Sequence, residues 1–222
     1  MSGPMRLVIV LAFAVLSLMV ATPPAVAIPT VFTFTSDHCD GGCGPQATGF
    51  GTVSVEQSGA NLDVTVHLIN GNRFITTGAL DNNFEFNIHG VVLADISVDA
   101  HTPALSAFAG PFTQGSVGTF DFGIRCDPAC QNGNPGSFAA DIVFHIANAT
   151  VADFYTNTPD GNFFAADIIS GTTGKTGVVD VNLAPNPGTP RSVPEPATLV
   201  LLGTGLAALG IATRRRLGAV QR

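Results

Sequence analysis

Tryptophan is absent from this 222-residue chain, and tyrosine occurs once, at Tyr155. Sugar-binding platforms commonly stack saccharide rings on exposed aromatics, so this scarcity speaks against a lectin. Basic residues are nearly as sparse. Between residues 28 and 190, Arg73, Arg125 and Lys175 face fifteen acidic side chains. That imbalance repels nucleic acid and anionic lipid and keeps a domain soluble, so no nucleic-acid partner is expected. The chain also lacks a Gly-x-Ser-x-Gly elbow, a P-loop, a Rossmann glycine pattern and a His-Glu-x-x-His segment. The sequence signatures of serine hydrolases, nucleotide enzymes and zinc proteases are therefore missing. No run of helix formers with a 3.6-residue period occurs between the terminal segments.

What is present in that interval is strand-forming text. Phe, Val, Ile and Thr dominate the ordered stretches, and Gly and Asn punctuate them. Leu62, Val64, Val66 and Leu68 alternate with Asp63, Thr65 and His67, and Phe84, Phe86 and Ile88 with Asn83, Glu85, Asn87 and His89. Ile142, Phe144 and Ile146 alternate with Asp141, Val143 and His145. Turn signals stand at Ser58-Gly59, Asn70-Gly71-Asn72, Asp81-Asn82 and Asp160-Gly161-Asn162. One apolar and one polar face per strand, with short links, predicts an all-β fold, an antiparallel β-sandwich. Its ten or eleven strands are expected at 31–36, 50–57, 62–69, 73–79, 83–90, 93–99, 118–125, 138–147, 150–156, 163–169 and 176–183. The stretch from Thr102 to Gly115, with Pro103, Pro111 and two glycines, reads as a long connection. Phe138-Ala139-Ala140-Asp141-Ile142 recurs as Phe164-Ala165-Ala166-Asp167-Ile168. The two copies suit equivalent strands of two hairpins, although five residues are too few to establish a duplication.

The termini carry different text. Residues 1–27 read as a secretory signal peptide: Arg6, an apolar run from Leu7 to Val20, a break at Pro23-Pro24, and small residues at Ala25 and Ala27 for signal peptidase. Cleavage after Ala27 leaves a β-domain over 28–183. A spacer over 184–192, with Pro185, Pro187 and Pro190, lifts the domain off the membrane. Residues 193–222 form the last unit, with Val193-Pro194-Glu195-Pro196, an uncharged run from Ala197 to Thr213, and Arg214-Arg215-Arg216 opening a basic tail over 214–222. Seventeen residues in a helix rise about 25 Å, the short end of what crosses a roughly 30 Å hydrocarbon core. The arginines stay cytoplasmic by the positive-inside rule, which places the Pro-Glu-Pro segment just outside the bilayer. Two prolines keep that segment extended, as a strip that a membrane enzyme can grip.

Motif, apolar helix and arginine cluster, in that order, resemble the PEP-CTERM sorting signal of Gram-negative surface proteins. The resemblance covers about residues 193–216. It implies export through the Sec translocon, cleavage by signal peptidase, and processing by exosortase, a membrane-embedded, cysteine-transpeptidase-like enzyme. It also implies delivery to the cell surface or an extracellular matrix, with exopolysaccharide as a partner there. In such a chain the sequon Asn148-Ala149-Thr150 is a chance match.

Four cysteines form two C-x₃-C pairs, Cys39/Cys43 and Cys126/Cys130. Structural zinc commonly takes C-x₂-C or C-x₄-C spacing, and exported thiols oxidise, so both pairs read as disulfides. Three connectivities are open. Local pairing is preferred, because Gly41-Gly42 and Asp127-Pro128 let each loop curl back. A cross-link between the two regions closes a far longer loop, with a chain-entropy gain of about 4.5 kcal/mol.

Other candidate chemistry is thin. His38, His67, His89, His101 and His145 show no metal-ligand spacing. Asp141 and Asp167 would form a glycosidase pair if their strands were neighbours. Asp160-Gly161-Asn162 and Asn132-Gly133-Asn134 offer oxygens to Ca²⁺, but no EF-hand loop or nonapeptide repeat is present. No cofactor is implied beyond that ion, no resident metal is assigned, and no catalytic activity is expected. The alternatives are a carbohydrate- or calcium-binding module and, behind it, a glycoside hydrolase acting through Asp141 or Asp167.

Overall fold

The structure, a computed structural model, describes residues 28–77, 82–114, 117–126, 136–157 and 161–182. All of them lie in one compact unit over 27–189. Twelve strands fall among these residues. They are β1 (Thr30–Phe34), β2 (Ser36–Asp37), β3 (Gly51–Ser58), β4 (Asn61–Leu68), β5 (Arg73–Phe74), β6 (Phe84–Phe86), β7 (Ile96–Val98), β8 (Leu105–Gln114), β9 (Gly118–Cys126), β10 (Ile142–Ile146), β11 (Asn162–Ile169) and β12 (Thr176–Asn182). They build a five-stranded sheet, β1-β3-β4-β10-β7, and a seven-stranded sheet, β2-β12-β11-β6-β9-β8, with β5 also beside β11. Every pairing between strands is antiparallel. Among the described residues no helix is long and apolar enough to cross a membrane. The expected membrane segment at 197–213 lies outside them, as does residues 1–27.

Period-2 patterning explains how the sheets meet. Val53, Val55, Leu62, Val64 and Val66 of the first sheet are fully buried, as are Ile142, Phe144 and Ile146. The facing sheet contributes Phe84, Phe86, Phe164 and Ile168, also fully buried. The two layers touch through rings. Phe144 of β10 lies 5.2 Å from Phe86 and 5.9 Å from Phe84, centroid to centroid, and Phe32 of β1 meets Phe164 edge-on at 4.9 Å. Such pairs add specific ring-ring attraction to the area they remove from water. At one edge the chain switches layers: after β1, Thr35 N–H donates to Asp180 O of β12 at 3.1 Å, and β2 pairs with β12.

Turns fall where Gly and Asn signal them. Asn70 and Gly71 both take left-handed φ, +59° and +73°, and reverse the chain between β4 and β5.

Four expectations need correction. Residues 105–114 form the ten-residue β8, not a connection. Proline is tolerated because β8 ends its sheet and Pro111 sits in a bulge, between the pairs Ala109↔Phe122 and Phe112↔Phe120. Gly110 is required there, since a Cβ would strike Phe112 N and Phe120 O at 2.6 Å. Residues 150–156 are not a strand: Val151–Asp153 form one 3-10 turn, followed by a single bridge between Phe154 and Ile88. Residues 93–95 are likewise a 3-10 turn ahead of β7. The two Phe-Ala-Ala-Asp-Ile segments are not equivalent strands either. The first ends in β10 of one sheet and the second lies in β11 of the other.

Phe144→Ala removes the ring that joins the layers and leaves a cavity between β-sheets that cannot collapse. It is expected to lower stability by about 3–5 kcal/mol in denaturant unfolding followed by circular dichroism.

Candidate functional site

The outer faces of the two sheets differ in kind. On the five-stranded sheet the polar alternates face solvent, as expected. His145 of β10 stands opposite Asp63 of β4. Its Nδ1 lies 2.6 Å from Asp63 Oδ1 and its Nε2 2.9 Å from Asp99 Oδ1. Both ring nitrogens face carboxylate acceptors, and only the imidazolium can donate to both. The Asp63 hydrogen bond therefore raises the His145 pKa above its ordinary value, against partial desolvation and with help from Asp99. His67 Nδ1 similarly contacts Asp141 Oδ1 at 2.7 Å.

On the seven-stranded sheet the polar alternates are buried. Asn83, Glu85 and Asn87 of the β6 region, Asp167 of β11 and Asp180 of β12 are at most 1% exposed. β6 is an interior strand, and amides and carboxylates bond to one another over it. Asn82 Nδ2 donates to Glu85 Oε1 at 2.8 Å and Asn83 Nδ2 to Thr76 Oγ1 at 3.2 Å. Thr77 N–H and Oγ1–H donate to Asp167 Oδ2 at 2.7 and 2.8 Å. Burial outweighs these bonds and pushes the Asp167 pKa up to about 7.

Two arrangements resemble catalytic constellations and fail on geometry. Ser36 Oγ, His38 and Asp180 are in contact, but both partners meet the same nitrogen, Nε2, at 3.2 and 2.6 Å. A relay needs the carboxylate on one ring nitrogen and the nucleophile on the other. Asp141 just precedes β10 of one sheet, beside exposed His67, whereas Asp167 is fully buried in β11 of the other, so they form no carboxylate pair open to a substrate.

Cys39 and Cys43 form the local disulfide, with Cα atoms 5.3 Å apart. Asp37 organises the loop by accepting Cys39 N–H at 2.8 Å and Cys43 N–H at 2.7 Å. Ser170 Oγ–H donates to Cys43 O, and Thr173 Oγ1–H to Gly42 O at 3.1 Å, tying the loop to the β11–β12 turn. Asp37, Cys39 and Cys43 are the one group with metal-ligand proximity among the described residues, and the disulfide withdraws both sulfurs from it. Cys126 is also disulfide-bonded, while Cys130 lies outside the described residues. So do Asp160 and the Asn132-Gly133-Asn134 loop. Gly161, its N–H on Asn157 O at 3.1 Å, leads into β11, and Asn162 is buried with its N–H on Asn157 Oδ1 at 2.9 Å.

One cleft was not anticipated. Its volume is about 510 Å³, and its walls include His89, Val92, Leu93, Gly110 and Asp121. The sheet register builds it: the Ile88–Phe154 bridge and the Phe86↔Phe122 pair place Tyr155 and Asp121 on either side of Asn87. Asn87 Oδ1 accepts Asp121 N–H at 2.8 Å, because the bulge in β8 disrupts the ladder opposite Asp121. The Tyr155 hydroxyl donates to Asp121 Oδ2, and the Tyr155 ring stacks on His89 with centroids 3.9 Å apart. Burial, then the Asp121 bond, pushes the Tyr155 pKa up to about 12. The only signals in the sequence were the lone tyrosine and the Gly110-Pro111 break, 34 and 11 positions from Asp121 at the far ends, with no local motif joining them.

The remaining predicted site residues, Ala25, Ala27, Val193, Pro194, Glu195, Pro196, Arg214, Arg215 and Arg216, lie outside the described residues. For the tail the decisive finding is one of sequence: residues 192–216 match the family model of the PEP-CTERM protein-sorting motif. The tail is a PEP-CTERM sorting signal. A PEP-CTERM motif implies export, a membrane-anchored sorting signal in bacteria, and processing by an exosortase-type enzyme. No curated protein and no solved structure matches the chain.

Two predictions follow the geometry of the domain. Asp167 and His145 both have raised pKa values in the fold, so at these two groups the folded state holds more protons than the unfolded one. Their contributions are complete at low pH and fade upward, that of Asp167 between its ordinary 3.8 and about 7, that of His145 from 6.5 upward. In thermal melts from acid to mildly alkaline pH, Asp167→Asn is expected to flatten the lower window and His145→Gln the upper one. For the second cysteine pair, non-reducing peptide mapping is expected to recover Cys126 linked to Cys130. A peptide carrying Cys126 joined to Cys39 or Cys43 contradicts the local scheme.

Proposed function

We propose that the chain is an exported surface protein of a Gram-negative bacterium, a β-sandwich cargo without catalytic activity of its own. The Sec translocon carries it across the inner membrane, and signal peptidase cleaves after Ala27. The helix over 197–213 then holds it in the membrane, stopped by Arg214, Arg215 and Arg216. An exosortase-type enzyme grips Val193-Pro194-Glu195-Pro196 and releases the domain to the cell surface or to an exopolysaccharide matrix. The observation that carries this reading is the sorting motif at residues 192–216, in which Pro-Glu-Pro, an uncharged segment and arginines stand in the order such processing needs. The failed relay at His38 and the separation of Asp141 from Asp167 support the non-catalytic part.

Fractionation of a doubly tagged chain tests it, with one tag after Ile28, ahead of β1, and one after Arg222. The parent is expected to lose the C-terminal tag and leave the inner membrane. Replacing Pro194, Glu195 and Pro196 by alanine preserves insertion, since the apolar run and the arginines remain, yet blocks processing. The full-length, doubly tagged protein then accumulates in the inner membrane. Equal loss of the C-terminal tag in parent and variant would reduce the tail to an anchor.

A further inference from the structure

We propose that the cleft at His89 and Asp121 binds a neutral saccharide ring. The sequence argues against sugar recognition because aromatic residues with polar tips are scarce. Folding changes the weight of that scarcity by bringing the chain's one tyrosine against two residues that line the cleft, His89 and Asp121. Tyr155 supports one face of His89 in a near-parallel stack, 8° between planes. His89 is exposed and lines the cleft, and Tyr155 covers only one of its two ring faces. A flat ring face braced from behind is what the C–H face of a sugar packs against.

The polar complement is at the right place and of the right sign. Asp121 lines the same cleft, and one of its carboxylate oxygens is held by the Tyr155 hydroxyl. That bond fixes the carboxylate's orientation and leaves the other oxygen to accept a ligand hydroxyl. The lining also includes Gly110 at the bulge, where β8 leaves its ladder with β9 and brings backbone to the cleft without a side chain. The rim is apolar. Val92 and Leu93 are 61% and 40% exposed, two of the four large hydrophobic residues exposed among those described. Apolar walls with a few fixed polar groups are the usual composition of a ligand site.

Charge narrows the ligand class. The excess of acidic over basic residues in the domain disfavours an acidic polysaccharide. A small cation would satisfy Asp121 but would leave the Val92–Leu93 rim unused. A neutral hexose uses ring face, carboxylate and rim together. This assignment stands apart from the sorting reading, since it concerns binding by the domain whatever becomes of the tail.

The chain supplies its own reporter. With no tryptophan and one tyrosine, intrinsic tyrosine emission comes from Tyr155 alone. The full chain, in a detergent without a sugar head group, is titrated with cello-, malto- and manno-hexaose. Tetramethylammonium and polygalacturonate serve as cationic and anionic comparisons. At least one neutral oligosaccharide is expected to change the emission saturably below about 10 mM, the weak end of useful affinity. His89→Ala and Asp121→Asn should each weaken that binding by about tenfold or more. Asp141→Asn, on the other sheet, should bind as the parent does. Melting curves identify any variant that has lost the fold, and the second substitution then carries the test. A response to tetramethylammonium or polygalacturonate alone overturns the assignment. So does the absence of any response to the neutral sugars, or unchanged affinity in folded His89→Ala and Asp121→Asn variants.

Discussion

The structure depends on phenylalanine rings meeting between two sheets. Phe144 reaches from β10 to Phe84 and Phe86, and Phe32 reaches from β1 to Phe164. Neither sheet can bury its apolar alternates alone, so each folds only against the other. Once the inner faces are committed, every remaining chemical possibility lies on an outer face or at an edge. The disulfide loop of Cys39 and Cys43 sits at such an edge, bonded to the β11–β12 turn, and secures the point where the chain crosses between layers.

The two outer faces answer to different constraints. On the five-stranded sheet, Asp63, Asp99 and Asp141 surround His145 and His67 in water, where such pairs contribute modestly to stability. On the seven-stranded sheet, Asn83, Glu85, Asn87 and Asp167 are withdrawn from solvent, and burial forces them to find partners or to hold protons. The cleft lies where that buried row ends. Along one face of the β6 region the side chains pass from Glu85 and Asn87, both buried, to exposed His89. Address and surface are thus carried by separate parts of the chain: a short terminal motif for sorting, and a folded domain for whatever the exported protein touches.

The alternation at 62–68, 84–88 and 142–146 made the core legible, because a side chain in a strand has only two directions and the apolar ones must share one. β8 was hidden by Gly110 and Pro111, residues that normally end a strand and here occupy a bulge at a sheet edge. Thr150 to Thr156 carries strand-like residues, yet Asp153 Oδ2 accepts both Thr150 N–H and Thr150 Oγ1–H and curls the segment into a turn. Local hydrogen bonding there overrides β propensity. The pairing of Asp121 with Tyr155, 34 residues apart, is a consequence of strand order and left no pattern in the text.

The sequence by itself determined the sorting signal, the all-β class and the inward-facing residues, since each follows from short-range order: a motif, a run length, a period of two. Only the tertiary structure decided the burial of Glu85 and Asp167, the single-nitrogen contact that disarms Ser36 and His38, and the meeting of His89, Tyr155 and Asp121. These depend on which strands are neighbours and on what covers their outer faces. That is a property of long-range packing, to which residues near one another in the chain are indifferent.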